Sequence, residues 1–375
     1  MAGGPLMEGE CSPGFERLKD AFCRNFKDHA EIGAAIALVV NGKLVVDLWG
    51  GHRDANRERP WQADTLVNVW STTKGVTAAC FAIAVDRGLC RYEDDVARYW
   101  PEFAQAGKQH VTIGQLLSHQ AGLSAFARPY VIEDLYDSEA AASELAAQKP
   151  LWEPGSAAGY HAISVGFLAT ALFRRIEGRS IKDFVEQELT TFDVHIGLPP
   201  AAGGRVADLA PSEEMSPQES PSELTEIQAQ TLGNPVLDPQ VANGDAWRKA
   251  EIPSANGHAH ARGLARLYGN LIGDLDGSGP LVTAKTLTAA TALRAEGQDL
   301  VLSLEARWAA GFLRNSLGLY GPGESSFGHS GWGGSFAFAD PERGLAFAYV
   351  MNAMGSDLVG DPRAVNLIEA IYKSL

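Results

Sequence analysis

Apolar residues recur at helical spacing among charges from Phe15 to His29, and an unbroken apolar run of strand length follows from Gly33 to Val40. A second run, Leu44 to Trp49, comes after Asn41-Gly42-Lys43. An Asn-Gly pair supplies the positive φ angles of a tight turn, so the two runs are predicted to pair as an antiparallel hairpin. Both runs are apolar on both faces. Such a hairpin needs cover on each side, which implies a sheet sandwiched by helices. The arrangement returns near the other end of the chain: Ser335 to Ala339, a turn from Asp340 to Gly344, then Leu345 to Met351. A last amphipathic segment, Ala364 to Leu375, is predicted to be a helix packed on that sheet.

Between the two hairpins helical patterns dominate: Lys74 to Leu89, Thr112 to Ser118, Ser138 to Gln148, Ser164 to Glu177 and Ile181 to Leu189. The expected fold class is therefore α+β, an α/β sandwich with an antiparallel sheet flanked by helices and an inserted helical lobe. Residues 1–70 and 263–375 are assigned to a sheet domain built from both termini, and 71–262 to a helical domain, with a cleft where they meet. From Pro199 to Pro253 the chain is rich in Pro, Gly, Ser, Glu and Gln and has little periodicity. Long loops of this kind are often lids or binding loops, so 199–253 is expected to be lid-like, a plain surface excursion being the alternative.

Composition narrows the functional classes. With 375 residues, 45% of them hydrophobic, the chain can build one large mixed domain or two lobes around a shared core. The excess of 46 acidic over 31 basic side chains gives a formal charge of −15, which repels phosphate backbones and anionic lipid surfaces. Nucleic-acid and membrane partners are not expected; a small-molecule partner is, and a homo-oligomer is left open. Met1 to Pro13 lacks the basic patch and apolar run of a secretory signal, and the longest apolar stretches are too short to span a bilayer. A cytoplasmic location is the resulting expectation. Cys11, Cys23, Cys80 and Cys90 form no Cys-x-x-Cys or Cys/His cluster and are read as reduced thiols.

Three stretches carry candidate chemistry. In Val69-Trp70-Ser71-Thr72-Thr73-Lys74-Gly75, a serine precedes a helix-forming run, where free N–H groups favour developing negative charge. Lys74 falls one turn away on the same face and can tune the Ser71 hydroxyl as a nucleophile. The second stretch is Gly159-Tyr160-His161-Ala162, at a loop-to-helix junction that presents the phenol toward a cleft, where it could relay a proton. The third, Gly328-His329-Ser330-Gly331-Trp332-Gly333-Gly334-Ser335, opens the C-terminal hairpin. Glycines in a strand edge let a ligand approach the backbone, whose N–H groups can serve half of an oxyanion hole. Each stretch alone also has a structural explanation: an ion pair, a packed tyrosine, a bulge.

The order and spacing of Ser71-x-x-Lys74, Tyr160 and His329-Ser330-Gly331 resemble the three motifs of class C β-lactamases, penicillin-binding proteins and their relatives. The similarity is closest to the carboxylesterases called family VIII, whose L-L-x-H-x-x-G and W-G-G segments are matched by Leu116 to Gly122 and by Trp332-Gly333-Gly334. The resemblance runs from the first hairpin to the last helix and is weakest across 199–253. It implies that Ser71 is the nucleophile, with Lys74 and Tyr160 sharing the acid–base role. The implied oxyanion donors are the N–H groups of Ser71 and Trp332, or of Ser335 if Trp332-Gly-Gly is aligned as the third motif. His329, Ser330, Gly331, Gly333 and Gly334 would border the substrate.

Two departures point toward esters. Ala162 stands where the β-lactamases carry the asparagine of Tyr-x-Asn, and His329 replaces the lysine of Lys-Thr-Gly. The first removes an amide that grips a substrate amide; the second weakens a fixed positive charge. The expected activity is hydrolysis of small short-chain esters through an acyl-enzyme on Ser71, without cofactor. An acyltransferase, a D-amino-acid peptidase or a weak β-lactamase would use the same groups, and a non-catalytic binding module of the same fold is the third reading. His119 is read as structural. His258 and His260 are placed at a helix start where they could line the cleft from the far side, and lacking a third ligand they do not suggest a metal.

Overall fold

Asn41 and Gly42 turn the chain as predicted: their φ angles are +49° and +73°, and strands Gly33–Val40 and Lys43–Gly51 pair antiparallel, Val40 opposite Lys43. The computed structural model describes residues 7–212, 215, 224–357 and 359–375. The C-terminal hairpin forms between Phe336–Asp340 and Leu345–Met351, with Phe338 opposite Phe347. The two hairpins join edge to edge, Leu345–Met351 pairing antiparallel with Gly33–Val40. One nine-stranded sheet results. Its order is Met7–Cys11, Lys43–Gly51, Gly33–Val40, Leu345–Met351, Phe336–Asp340, Phe327–Ser330, Leu313–Arg314, Glu305–Trp308 and Ala295–Gln298, and every neighbouring pair is antiparallel.

The central strands are buried along almost their whole length, which requires cover on both faces. Helix Ala261–Ile272 supplies it on one side, packing on Gly33–Val40, Phe336–Asp340 and Leu345–Met351, with Gly269 letting it settle against Val39. The terminal helices Glu16–Asp28 and Pro362–Tyr372 pack on each other and complete the sandwich. The fold is the expected α+β class.

Between the hairpins, helix Thr73–Asp86 is buried on all sides from Thr73 to Ala84. A helix apolar all round belongs in a core; here it packs against Ser164–Glu177, Ile181–Glu188 and Ala284–Thr291. Its entry is fixed by a small sheet in which Val67–Asn68 and His195–Ile196 flank Gly257–Ala259.

The stretch 199–253 is more structured than its composition suggests, although residues 213–214 and 216–223 lie outside the described part. Helix Glu226–Gly233 starts on a capping box formed by Thr225 and Gln228. Gln228 also donates to the Val301 carbonyl and the Ser303 hydroxyl, at 3.0 and 2.6 Å. Short helix Asp245–Lys249 buries Trp247, whose indole donates to Asn68. These hydrogen bonds hold the segment to the body of the protein. Among the described residues no helix is long and apolar enough to cross a membrane.

Candidate active site

Trp70, just before the candidate nucleophile, has φ of +46°, a left-handed conformation that costs a residue with a large side chain about 1–3 kcal/mol. The surroundings impose it. The indole is wedged between Trp247 and Trp332, ring centroids 5.2 and 5.1 Å away. The Trp70 carbonyl accepts from the Thr73 hydroxyl, which in turn accepts from the Gly257 N–H at 2.8 Å. The sharp turn leaves Ser71 half-buried at the mouth of the helix that begins at Thr73, one turn ahead of Lys74.

Lys74 is buried, and among the described residues no carboxylate pairs with it. Its Nζ lies 2.9 Å from Ser71 Oγ, 2.7 Å from the Ala162 carbonyl and 3.0 Å from the Ser254 carbonyl. Burial alone holds its pKa well below the usual lysine range. A neutral amine fits this arrangement: two N–H groups donate to the two carbonyls, and the lone pair faces the Ser71 hydroxyl. Ala162, which stands where the β-lactamases carry an asparagine, thus contributes through its backbone.

The Tyr160 hydroxyl donates to Ser71 Oγ at 2.6 Å. Burial raises its pKa above the normal phenol value, so the group is a protonated donor at neutral pH. The ring is held by Trp308 and Asp299, which the motif reading did not identify, and by His119 of the Leu116 to Gly122 segment. Trp308 stacks on it almost parallel, with 8° between planes and 5.7 Å between centroids, and His119 meets it edge-on at 5.1 Å. Buried Asp299 accepts from the Tyr160 N–H at 2.9 Å and from the Trp308 indole at 3.0 Å. His119 itself has φ of +63°, and its Nδ1 accepts from the His161 N–H at 3.2 Å. Burial first, then the neighbouring His161, depresses its pKa well below the imidazole norm, in keeping with a structural part. No sequence signal marked Trp308 or Asp299, because they lie more than a hundred residues beyond Tyr160 and meet it only through the sheet.

The third motif forms the opposite wall. Gly331 N–H donates to the Ser335 carbonyl at 2.7 Å, Gly333 N–H to the Asp357 carbonyl at 3.3 Å and Gly334 N–H to the Gly331 carbonyl at 3.1 Å. Of this turn, the Trp332 and Ser335 N–H groups have no hydrogen-bond partner among the described residues, and neither has the Ser71 N–H. The Ser335 side chain faces inward and stitches the strand to the nucleophile loop, donating to the Val69 carbonyl at 2.9 Å and lying 3.1 Å from the Thr72 hydroxyl. A side chain on Gly331 would collide with Val69, so only glycine permits this approach.

Ser71, Tyr160, His329, Ser330 and Trp332 line one pocket with Leu302, Trp308, Leu313 and Val359. The structure therefore brings Ser71, Lys74 and Tyr160 together, with His329, Ser330 and Trp332 facing them. Gly331, Gly333 and Gly334 lie behind that wall, in the turn that carries Trp332. His258 and His260 do not line the pocket: His258 is buried in the small sheet, and His260 caps helix Ala261–Ile272 through the Gly263 N–H. Their expected place along the cleft is corrected accordingly; strand pairing with His195 turned the segment away. Among the described residues no group of three or more His, Cys, Asp or Glu is placed to hold a metal ion.

Fold and site together define a serine hydrolase of the penicillin-recognising type. The Beta-lactamase family model matches residues 18–370, and the chain belongs to that family. It is 34% identical to the Esterase/beta-lactamase LipL of Mycobacterium tuberculosis (strain ATCC 25618 / H37Rv), over 95% of this chain and 85% of that protein. Among solved structures it is similar to a family VIII carboxylesterase, with a TM-score of 0.93 and 42% identity, covering 99% of this chain and all of the other. It is equally similar to a penicillin-binding protein homologue from Caulobacter crescentus, with a TM-score of 0.92, 46% identity and the same coverage.

Proposed function

We propose that the protein is a carboxylesterase that hydrolyses small, uncharged, short-chain esters through an acyl-enzyme on Ser71. The observation that carries this reading is the convergence on one hydroxyl of a buried amine at 2.9 Å and a phenol at 2.6 Å. Lys74 takes the Ser71 proton as Oγ attacks the ester carbonyl carbon. The oxyanion forms beside the unengaged N–H of Ser71 and that of Trp332, which lines the pocket with Ser71 where Ser335 does not. Collapse expels the alkoxide, which receives the Tyr160 proton and leaves as alcohol; the proton on Lys74 then restores the phenol. Water repeats the sequence on the acyl-enzyme, giving up a proton to the amine as it attacks, and Ser71 Oγ departs with one. Ester and water yield acid and alcohol, and the site returns to its starting state.

The pocket supports the choice of substrate. Five of its nine lining residues, Leu302, Trp308, Leu313, Trp332 and Val359, are apolar. The Lys74 amine at its base is held by two carbonyls. A β-lactam carboxylate therefore finds no fixed cation among the lining residues, which places β-lactam hydrolysis second to ester hydrolysis. Kinetic assay of p-nitrophenyl acetate and butyrate tests the reading. The wild type should turn them over and Ser71→Ala should fall to the uncatalysed background; retained activity in that variant ends the proposal.

A further inference from the structure

We propose that His329 is a neutral hydrogen-bond acceptor that selects esters whose alcohol part carries a hydroxyl group. The inference rests on the reading of Ser71 and Tyr160 given above and adds the substrate class. His329 stands third in strand Phe327–Ser330, is only 3% exposed, and lines the pocket beside Ser71 and Tyr160. Its Nδ1 is 2.8 Å from the Ser330 carbonyl. A carbonyl oxygen only accepts, so Nδ1 carries the proton, and the lone pair belongs to Nε2. Nε2 is fully buried and has no partner among the described residues.

The groups around it leave that acceptor for a ligand. The Tyr160 hydroxyl donates to Ser71, and none of the other pocket-lining residues makes a hydrogen bond to His329 Nε2. Burial, reinforced by the Lys74 charge when present, lowers the imidazole pKa to about 3. At neutral pH the ring is uncharged, which rules out pairing with a carboxylate. It is also too weak a base to take a proton from water, so its service is to accept a hydrogen bond from a neutral donor. Position decides which half of the substrate supplies the donor. The alkoxide leaves toward the Tyr160 hydroxyl, and the His329 ring lies 6.1 Å from the Tyr160 ring, tilted by 30°. His329 thus borders the alcohol half. It is a specificity-determining residue, distinct from the groups that move protons.

Two esters with equal numbers of heavy atoms make the test: 2-hydroxyethyl butyrate and propyl butyrate, compared by kcat/KM with the purified protein. A buried acceptor that meets its donor in one substrate and not in the other is worth roughly a factor of 10. The wild type should prefer the hydroxyethyl ester by that factor, and His329→Leu should bring the ratio to about 1. Because the ratio is internal to each variant, a general loss of activity does not disturb it. His329→Gln, which keeps an acceptor oxygen, should retain part of the preference and serves if the leucine variant does not fold. Equal turnover of the two esters by the wild type, or an unchanged ratio in both variants, overturns the inference and leaves ester hydrolysis standing. If neither ester nor p-nitrophenyl butyrate is cleaved, the parent reading fails instead.

Discussion

At the scale of single residues, the site is three side chains whose protonation is set by burial. Lys74 is driven toward the amine and Tyr160 toward the phenol, and each form is the one the proposed chemistry uses at that position. Removing the phenolic hydroxyl should therefore stop proton delivery to the alkoxide while leaving the ring packed on Trp308. Tyr160→Phe is expected to lower kcat by about 100-fold or more with KM little changed, as measured on p-nitrophenyl butyrate. Sequence reading reached Ser71, Lys74 and Tyr160 because each lies in a short local motif at a helix start. It did not reach Trp308 and Asp299, nor the carbonyls of Ala162 and Ser254 that hold the amine. Their contribution depends on strand register and backbone direction, and neither leaves a trace in residue type.

At the scale of elements, both hairpins were legible because a turn signal and an apolar run agree at each, and helix Ser164–Glu177 has the boundaries its pattern gives. The stretch 199–253 was less so. Its helix Glu226–Gly233 announces itself only through the Thr225–Gln228 capping box, since a short helix braced by polar contacts shows weak periodicity. The C-terminal helix has a use that its amphipathic pattern hid. Arg363 donates to the Gly333 carbonyl at 2.7 Å and to the Ala353 carbonyl at 2.6 Å, and is paired with Asp361 at 2.6 Å and Glu31 at 3.5 Å. The helix thereby pins the turn that presents the Trp332 N–H. Arg363→Gln strands two buried carboxylates and should destabilise the fold by about 3–5 kcal/mol in urea unfolding. A change below about 1 kcal/mol would show that the clamp is dispensable.

At the scale of the whole molecule, buried titratable groups set the response to pH. The pKa values of His161, His258 and His329 are lowered, chiefly by burial, to about 4, 3 and 3, and that of His119 also lies well below its norm. Between pH 6.5 and about 4.5 the unfolded chain takes up protons at these four positions that the folded protein refuses, so stability falls as pH falls. Glu31 acts the other way. Burial raises its carboxyl to about 7, so below that pH the folded state holds a proton the unfolded state lacks. Four histidines against one glutamate leave a net loss that steepens as pH falls, toward about 4 kcal/mol per pH unit once the unfolded histidines are fully charged. Urea denaturation midpoints measured from pH 7 to pH 5 should drop steeply; a flat profile would mean that the histidines are hydrated in the folded protein.

The proposed chemistry requires that Ser71 Oγ be the atom that becomes acylated. Intact-mass measurement after exposure to a fluorophosphonate, followed by peptide mapping, reads this directly. The expected result is one adduct per chain, on the peptide containing Ser71, with ester hydrolysis lost in step. An adduct on another residue, or hydrolysis persisting in a protein fully labelled at Ser71, would contradict it.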